Sequence, residues 1–214
     1  NSYSSIGNYN YVGGLIGHIY DNTNTAMTIA NSTNKGSVSG SCYVGGFVGS
    51  ISYNIDMTID LSNIANSGIV TGGYWVGGAV GRIEYNTNVI ITLYDTINNE
   101  IVTGVKCIGG FVGFISGCTN VTMSISNTIN NGNANGTSND IGGFLGYIGS
   151  SSVTMTISNS INNGNVTGSS YGVGGFVGSI WEKTKAVMEI INTTNLGYVN
   201  GGKFVGGFVG MINK

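Results

Sequence analysis

Any acid–base or metal chemistry in this chain would rest on one histidine, nine acidic residues and three cysteines. Glycoside hydrolysis needs two carboxyl groups about 5 to 9.5 Å apart. The acids that share a position in the sequence repeat are Asp60 with Glu189 and Asp21 with Glu182, and four or five repeat lengths separate them. Asp56 and Glu84 come nearest to a weak cation site and are expected to be a solvated surface pair. His18 shares its position with Ser50, Arg82, Phe114, Tyr147, Ser179 and Met211, a variable column that places it at the surface. Cys42 and Cys107 sit at corners two repeats apart, about 9.6 Å in a stacked coil, beyond the reach of a disulfide. Together with Cys118 they are expected to be free thiols. The Gly-Gly-x-x-Gly phrases lack the Gly-x-Gly-x-x-Gly spacing and the following helix of a dinucleotide loop, and they carry no Asp of the kind calcium-binding nonapeptides require. These residues predict no catalytic centre, no cofactor and no metal.

What the chain does carry is a repeat. Val12 opens Val-Gly-Gly-Leu-Ile-Gly, and Val44, Val76, Ile108, Ile141, Val173 and Val205 open variants of it at intervals of 32, 32, 32, 33, 32 and 32 residues. Such a period means one supersecondary unit copied and stacked. Residues 1–214 read as a single domain, with partial repeats at 1–11 and 205–214 around six full ones that begin near 12, 44, 76, 108, 141 and 173. Opening in the tail of one repeat and stopping inside another is expected of a processed product, a fragment or one segment of a longer array. With 7% charged residues, a net charge of −2 and no basic run, the surface is neutral and polar, which excludes a nucleic-acid partner. Glycine interrupts every apolar run well short of 18 residues, so no membrane span is predicted.

Period-two alternation marks a strand whose inner face carries Met27 and Ile29, Ile59 and Leu61, Ile91 and Leu93, Met123 and Ile125, Met155 and Ile157, Met188 and Ile190. A brief strand follows around Val38, Val70, Val102, Ala134, Val166 and Val199. Gly40, Gly72, Gly104, Gly136, Gly168 and Gly201 come two residues later and predict a corner of positive φ. Asn34, Asn66, Asn98, Asn130, Asn162 and Asn195 recur at a turn, where Asn tolerates left-handed backbone and can bond its twin one coil away. The absence of proline agrees with strands paired on both sides. The predicted fold is an all-β parallel β-solenoid (β-helix) of three-sided coils of about 32 residues, some 30 Å long at a spacing of about 4.8 Å. A seven-bladed β-propeller is the alternative, although its blades need about 40 residues.

Gly-Leu-Ile-Gly at 14–17, Gly-Phe-Val-Gly starting at 46, 110, 175 and 207, Gly-Ala-Val-Gly at 78 and Gly-Phe-Leu-Gly at 143 resemble the GLUG motif. Thr-Ile-Ser-Asn-Ser from Thr156 and Gly-Asn-Val-Thr-Gly from Gly164 are similar to that family's flanking text, and the resemblance covers nearly the whole chain. It implies an extracellular or cell-surface, non-catalytic repeat region of the kind found in bacterial IgA peptidases and adhesin-like proteins.

The strand across each Gly-Gly phrase is apolar on both faces. Phe47, Phe111, Phe144, Phe176 and Phe208 with the Ile51 column form one face. The other carries Val12 and Ile16 in the first copy, then Val44 and Val48, Val76 and Val80, Ile108 and Val112, Ile141 and Leu145, Val173 and Val177, Val205 and Val209. A strand apolar on both sides is normally covered on both sides, and glycine between the aliphatics admits another backbone. Their second face is therefore a candidate assembly surface. The alternative is that corners turn both faces into the coil's own core. The leading expectation is a structural repeat protein, a building block of a fibre or surface appendage, that associates with itself through open coil ends, this face, or both. An adhesin or glycan-binding stalk is the alternative, with Tyr20, Tyr53 and Tyr85 as candidate aromatic contacts. Asn31, Asn120, Asn135, Asn165 and Asn192 open N-glycosylation sequons, about as many as chance supplies. Thr154 and Thr156 above Thr122 and Ser124 would suit ice, but Asp60, Glu189 and Ile90 interrupt that surface.

Overall fold

Ile90–Tyr94 buries Ile91 and Leu93 and turns Ile90 and Tyr94 to solvent, the pattern of a half-buried strand. Its partners are its own equivalents one repeat away: Leu93 pairs with Leu61 on one side and with Ile125 on the other, both in parallel. The same holds throughout the computed structural model, which describes residues 5–6, 10–181 and 185–213. In the coil from Val70 to Asn98 the strands are Val70–Thr71, Tyr74–Gly77, Val80–Glu84, Ile90–Tyr94 and Ile97–Asn98. Stacked on their equivalents they build three seven-stranded sheets and one ten-stranded sheet, the last shared by the final two strands. We call these the first to fourth sheets in coil order. The protein is a parallel β-solenoid, and pairing between repeats, instead of within them, rules out propeller blades. Corners absorb length changes. Gly104 still pairs with Gly136, whereas Ile108 pairs with Ile141, so the extra residue of that repeat lies between Gly136 and Ile141.

Each coil has four sheets to feed, not three strands, because the Gly-Gly phrase is a corner. Val76 ends the second-sheet strand and Val80 begins the third-sheet strand. Bare glycine backbone makes that corner possible: a β-carbon on Gly77 would strike the Val80 carbonyl, and one on Gly78 would lie 2.9 Å from the Asn98 amide carbon. The corner sends the two aliphatic columns into two separate cores. Val44, Val76, Ile108, Ile141 and Val173 pack with Val38, Val70, Val102, Ala134 and Val166 between the first and second sheets. Val48, Val80, Val112, Leu145 and Val177 join the Phe column, Ile51 and the Ile59–Leu61 columns between the third and fourth.

The candidate assembly face is therefore not a surface. Those ten Val, Ile and Leu side chains are each 0% exposed, and accessibility is confined to the first and last copies, Val12 and Ile16 in one and Val205 and Val209 in the other. Alternation counted across the corner assigned Val44 and Val48 to one face of a single strand that does not exist. Glycine does admit a second backbone, but that backbone is the protein's own. A β-carbon on Gly113 would sit 2.5 Å from the Val76 nitrogen and 2.7 Å from the Trp75 carbonyl carbon, so the second-sheet strand crosses directly over the third sheet.

The Gly40 column also differs from expectation. None of its members has positive φ. Gly72 is glycine because the Val76 and Val44 methyls come within 2.7 and 2.8 Å of where a β-carbon would be. Nor is the Asn34 column left-handed; that conformation falls three residues earlier, at Asn31, Asn63, Asp95, Asn127, Asn159 and Asn192. The Asn ladder itself is present. Asn34 Nδ2 donates to Asn66 Oδ1 (3.0 Å), Asn66 to Asn98 (2.9 Å), Asn98 to Asn130 (2.8 Å), Asn130 to Asn162 (2.7 Å) and Asn162 to Asn195 (2.8 Å). The second amide hydrogen of Asn66, Asn98 and Asn162 goes to the carbonyl two residues on, at 2.9 Å in each case. A buried polar column is tolerable because its donors are met.

Asn98→Ala strands the Asn66 amide and the Asn130 carbonyl inside the protein, and each such loss costs about 1–3 kcal/mol. Urea unfolding is expected to show a lowered midpoint with an unchanged m-value.

Candidate functional site

The acids singled out from sequence are dispersed. Glu84 Oε2 accepts from Arg82 Nη1 at 2.6 Å, while Asp56 Oδ1 accepts from Asn88 Nδ2 at 2.9 Å, so they form no cation pair. Asp60 accepts from the Ser62 hydroxyl at 3.2 Å, and register puts it in Glu189's column four coils away. Glu182 lies outside the described residues. Among the described residues no three His, Cys, Asp or Glu side chains gather as a metal site would need. The cysteines are free: Cys107 and Cys118 are buried and Cys42 partly so. Cys118 replaces asparagine in a second ladder, in which Asn22 donates to Asn54 and Asn54 to Asn86 at 2.9 Å each. Of the sequon asparagines, Asn31, Asn120, Asn165 and Asn192 are exposed and Asn135 is half-buried. All five bond to the adjacent coil, Asn31 to Asn63 and Asn135 to Thr167, for example.

Aromatic side chains are what the fold gathers. Tyr20, Tyr53 and Tyr85 form one exposed row with centroids 5.6 and 5.0 Å apart. A second row, not singled out from sequence, stands immediately before the Gly-Gly phrase: Tyr11, Tyr43 and Trp75, with 4.9 Å between successive rings. Its backbone is left-handed, with φ of 65°, 54° and 58°, an uncommon state for bulky residues that costs about 1–3 kcal/mol each. This conformation carries the strand over the third sheet's glycines and turns the ring outward. The column continues as Cys107, Asp140, Gly172 and Phe204, all with positive φ. Small or short side chains at 107, 140 and 172 leave a trough between the Trp75 and Phe204 rings. Phe114 and Tyr147, stacked at 5.2 Å, form one wall, and Tyr74, Lys106 and Tyr171 stand opposite. Three hollows of about 350, 220 and 270 Å³ follow one another along it, the first two sharing Lys106 and Tyr147, the last two Tyr171 and Trp181.

The electrostatics follow from burial. His18 is half-buried, not a free surface residue: its ring stacks on Tyr11 at 4.2 Å and Nε2 lies 2.7 Å from the Ser52 hydroxyl. Desolvation, reinforced by the Arg82 charge, lowers its pKa below the usual 6.5. The Arg82 guanidinium lies over the Tyr43 ring at 3.9 Å. At the floor of the trough, Asp140 is 1% exposed and accepts from Asn139 Nδ2 at 2.9 Å, with Lys106 Nζ at 3.8 Å. Desolvation raises its carboxyl pKa, opposed by Ser179, Lys106, Cys107 and Trp181.

Comparison of the chain with protein-family models, with curated proteins and with solved structures finds no match. The site therefore has to be read from its own geometry. The signal for the second row was present in the sequence: an aromatic residue precedes the phrase in four of seven copies, at Tyr11, Tyr43, Trp75 and Phe204.

Two measurements follow from these environments. The single histidine should titrate by proton NMR below 6.5, and Arg82→Gln should raise its midpoint by removing a neighbouring positive charge. Because the folded midpoint is depressed, protonation favours the unfolded chain, and this contribution to stability is lost as pH falls from 6.5 through the folded midpoint. Thiol labelling of the native protein should reach Cys42 first. Cys107 and Cys118, whose pKa values burial raises, should react only on unfolding.

Proposed function

We propose that the chain is a non-catalytic structural repeat protein, a building block of an extracellular fibre or cell-surface appendage, in which coil adds to coil through open ends. The observation that carries this reading is the axial stacking, in which each coil is covered by the next copy of itself. Phe208 stacks on Phe176 with centroids 5.3 Å apart and planes 8° from parallel, and Phe176 on Phe144 at 4.5 Å. A coil of this repeat on a second copy can extend the same stacking and parallel hydrogen bonds along the axis.

Two continuous axial elements support a load-bearing role: the Asn34–Asn195 ladder and the Phe111–Phe144–Phe176–Phe208 stack. The extracellular assignment is supported by the likeness of the repeated phrase to the GLUG motif and by a surface polar through Asn, Ser and Thr.

Negative-stain imaging and sedimentation over rising concentration should show rods joining end to end. Phe208→Lys with Ile212→Lys should leave short single rods with an unchanged β-sheet circular dichroism spectrum. Wild-type protein that stays monodisperse at every concentration would sink end-to-end assembly.

A further inference from the structure

The trough runs along the rod from Trp75 to the last coil, and its chemistry needs its own explanation. Its walls are aromatic and accessible, with Tyr74 45% exposed and Trp75, Phe114, Tyr147, Tyr171 and Trp181 partly so. An apolar ligand would account for the rings but not for the floor, where a carboxylate sits among them. Asp140 and Ser179 are both buried there, beside Asn139, Cys107 and Trp181. They face each other across Gly172, where a β-carbon would strike the Ser179 oxygen and lie 3.2 Å from Asp140 Oδ1. A site of mostly apolar walls with a few polar groups at its base is built for a ligand that has both kinds of surface.

Charge narrows the class. The carboxylate and the Lys106 ammonium face each other at 3.8 Å and compensate, so the middle of the trough has no net charge, and Lys203 beside Tyr171 adds a lone cation at its end, too little to hold a polyanion. A peptide that adds as a strand needs an open sheet edge, and from Trp75 to Tyr171 this trough lies on the faces of strands already paired on both sides. What fits is an uncharged chain of rings, each with an apolar C–H face to lay on an aromatic ring and hydroxyl groups to reach the Lys106 ammonium, which the buried Asp140 carboxylate anchors from below. Rows of aromatic rings at the coil spacing of about 4.8 Å give that chain a direction, along the rod axis.

We propose that the trough bounded by Trp75 and Phe204, with Asp140 at its floor and Tyr147 on its wall, binds a neutral oligosaccharide lying across successive coils. The trough reaches the last coil at Phe204, but Trp75, Asp140 and Tyr147 lie two or more coils inward, so changing them tests binding without altering the coil end.

The protein has two tryptophans, Trp75 and Trp181, and both line the trough, so their emission reports its occupancy. Purified protein is titrated with neutral gluco-, xylo-, manno- and N-acetylglucosamine oligomers of two to six units, with calorimetry on any that respond. At least one series is expected to give a saturable change, tighter with increasing length. Trp75→Gly and Tyr147→Ser introduce residues that the same columns already carry at 172 and 179, so the coil is retained, as circular dichroism checks. Each is expected to weaken binding about tenfold, and Asp140→Asn to weaken it too, whereas Tyr20→Ala leaves it unchanged. The proposal is overturned by no saturable response to any neutral oligomer at about 10 mM. It is equally overturned by binding that survives both Trp75→Gly and Tyr147→Ser, or by a response confined to charged glycans or to aromatic peptides.

Discussion

Parallel hydrogen bonding between coils places every residue directly against its own equivalent, one repeat away. That single constraint dictates what each position can hold. A charged column would set like charges side by side, which is destabilising, and only 7% of the chain is charged. Asn, Ser and Thr avoid the problem because each can donate to one neighbour and accept from the other. The Asn34–Asn195 column shows the result inside the molecule, and Asn99, Asn131 and Asn163 show it at the surface, where each amide reaches its twin. Apolar columns obey the same rule through shape, as in the Phe144–Phe176 stack at 4.5 Å.

Much of the architecture was legible because the constraint writes itself as a period. The 32-residue interval, the Met27–Ile29 class of inward columns and the Asn ladder all came from positions that repeat their chemistry. The errors came where local geometry changes without a change in composition. Val44 and Val48 lie four positions apart with a corner between them, and two-residue alternation cannot register a corner. Gly72 and Gly78 look like turn residues, but they are small because methyls and a carbonyl press on them. Glycine in a sequence does not distinguish conformational need from lack of space.

The trough was harder to see for the opposite reason. Core columns are recognisable by uniformity, whereas the column from Tyr11 to Phe204 changes from aromatic to thiol to carboxylate to hydrogen. Variation of that kind reads as an unconstrained surface. In the structure it is one continuous line of left-handed residues on the outside of the second sheet, and the change from ring to short side chain is what opens a space.

The left-handed position before each Gly-Gly corner fixes a backbone without fixing a side chain. Tyrosine, tryptophan, cysteine, aspartate, glycine and phenylalanine all occupy it within one molecule, while the cores beneath keep their valines and isoleucines. Scaffold and display are thereby decoupled. Such a rod works as a ruler with one writable mark per coil, whose marks can be revised singly during evolution or design while the spacing between them stays the same.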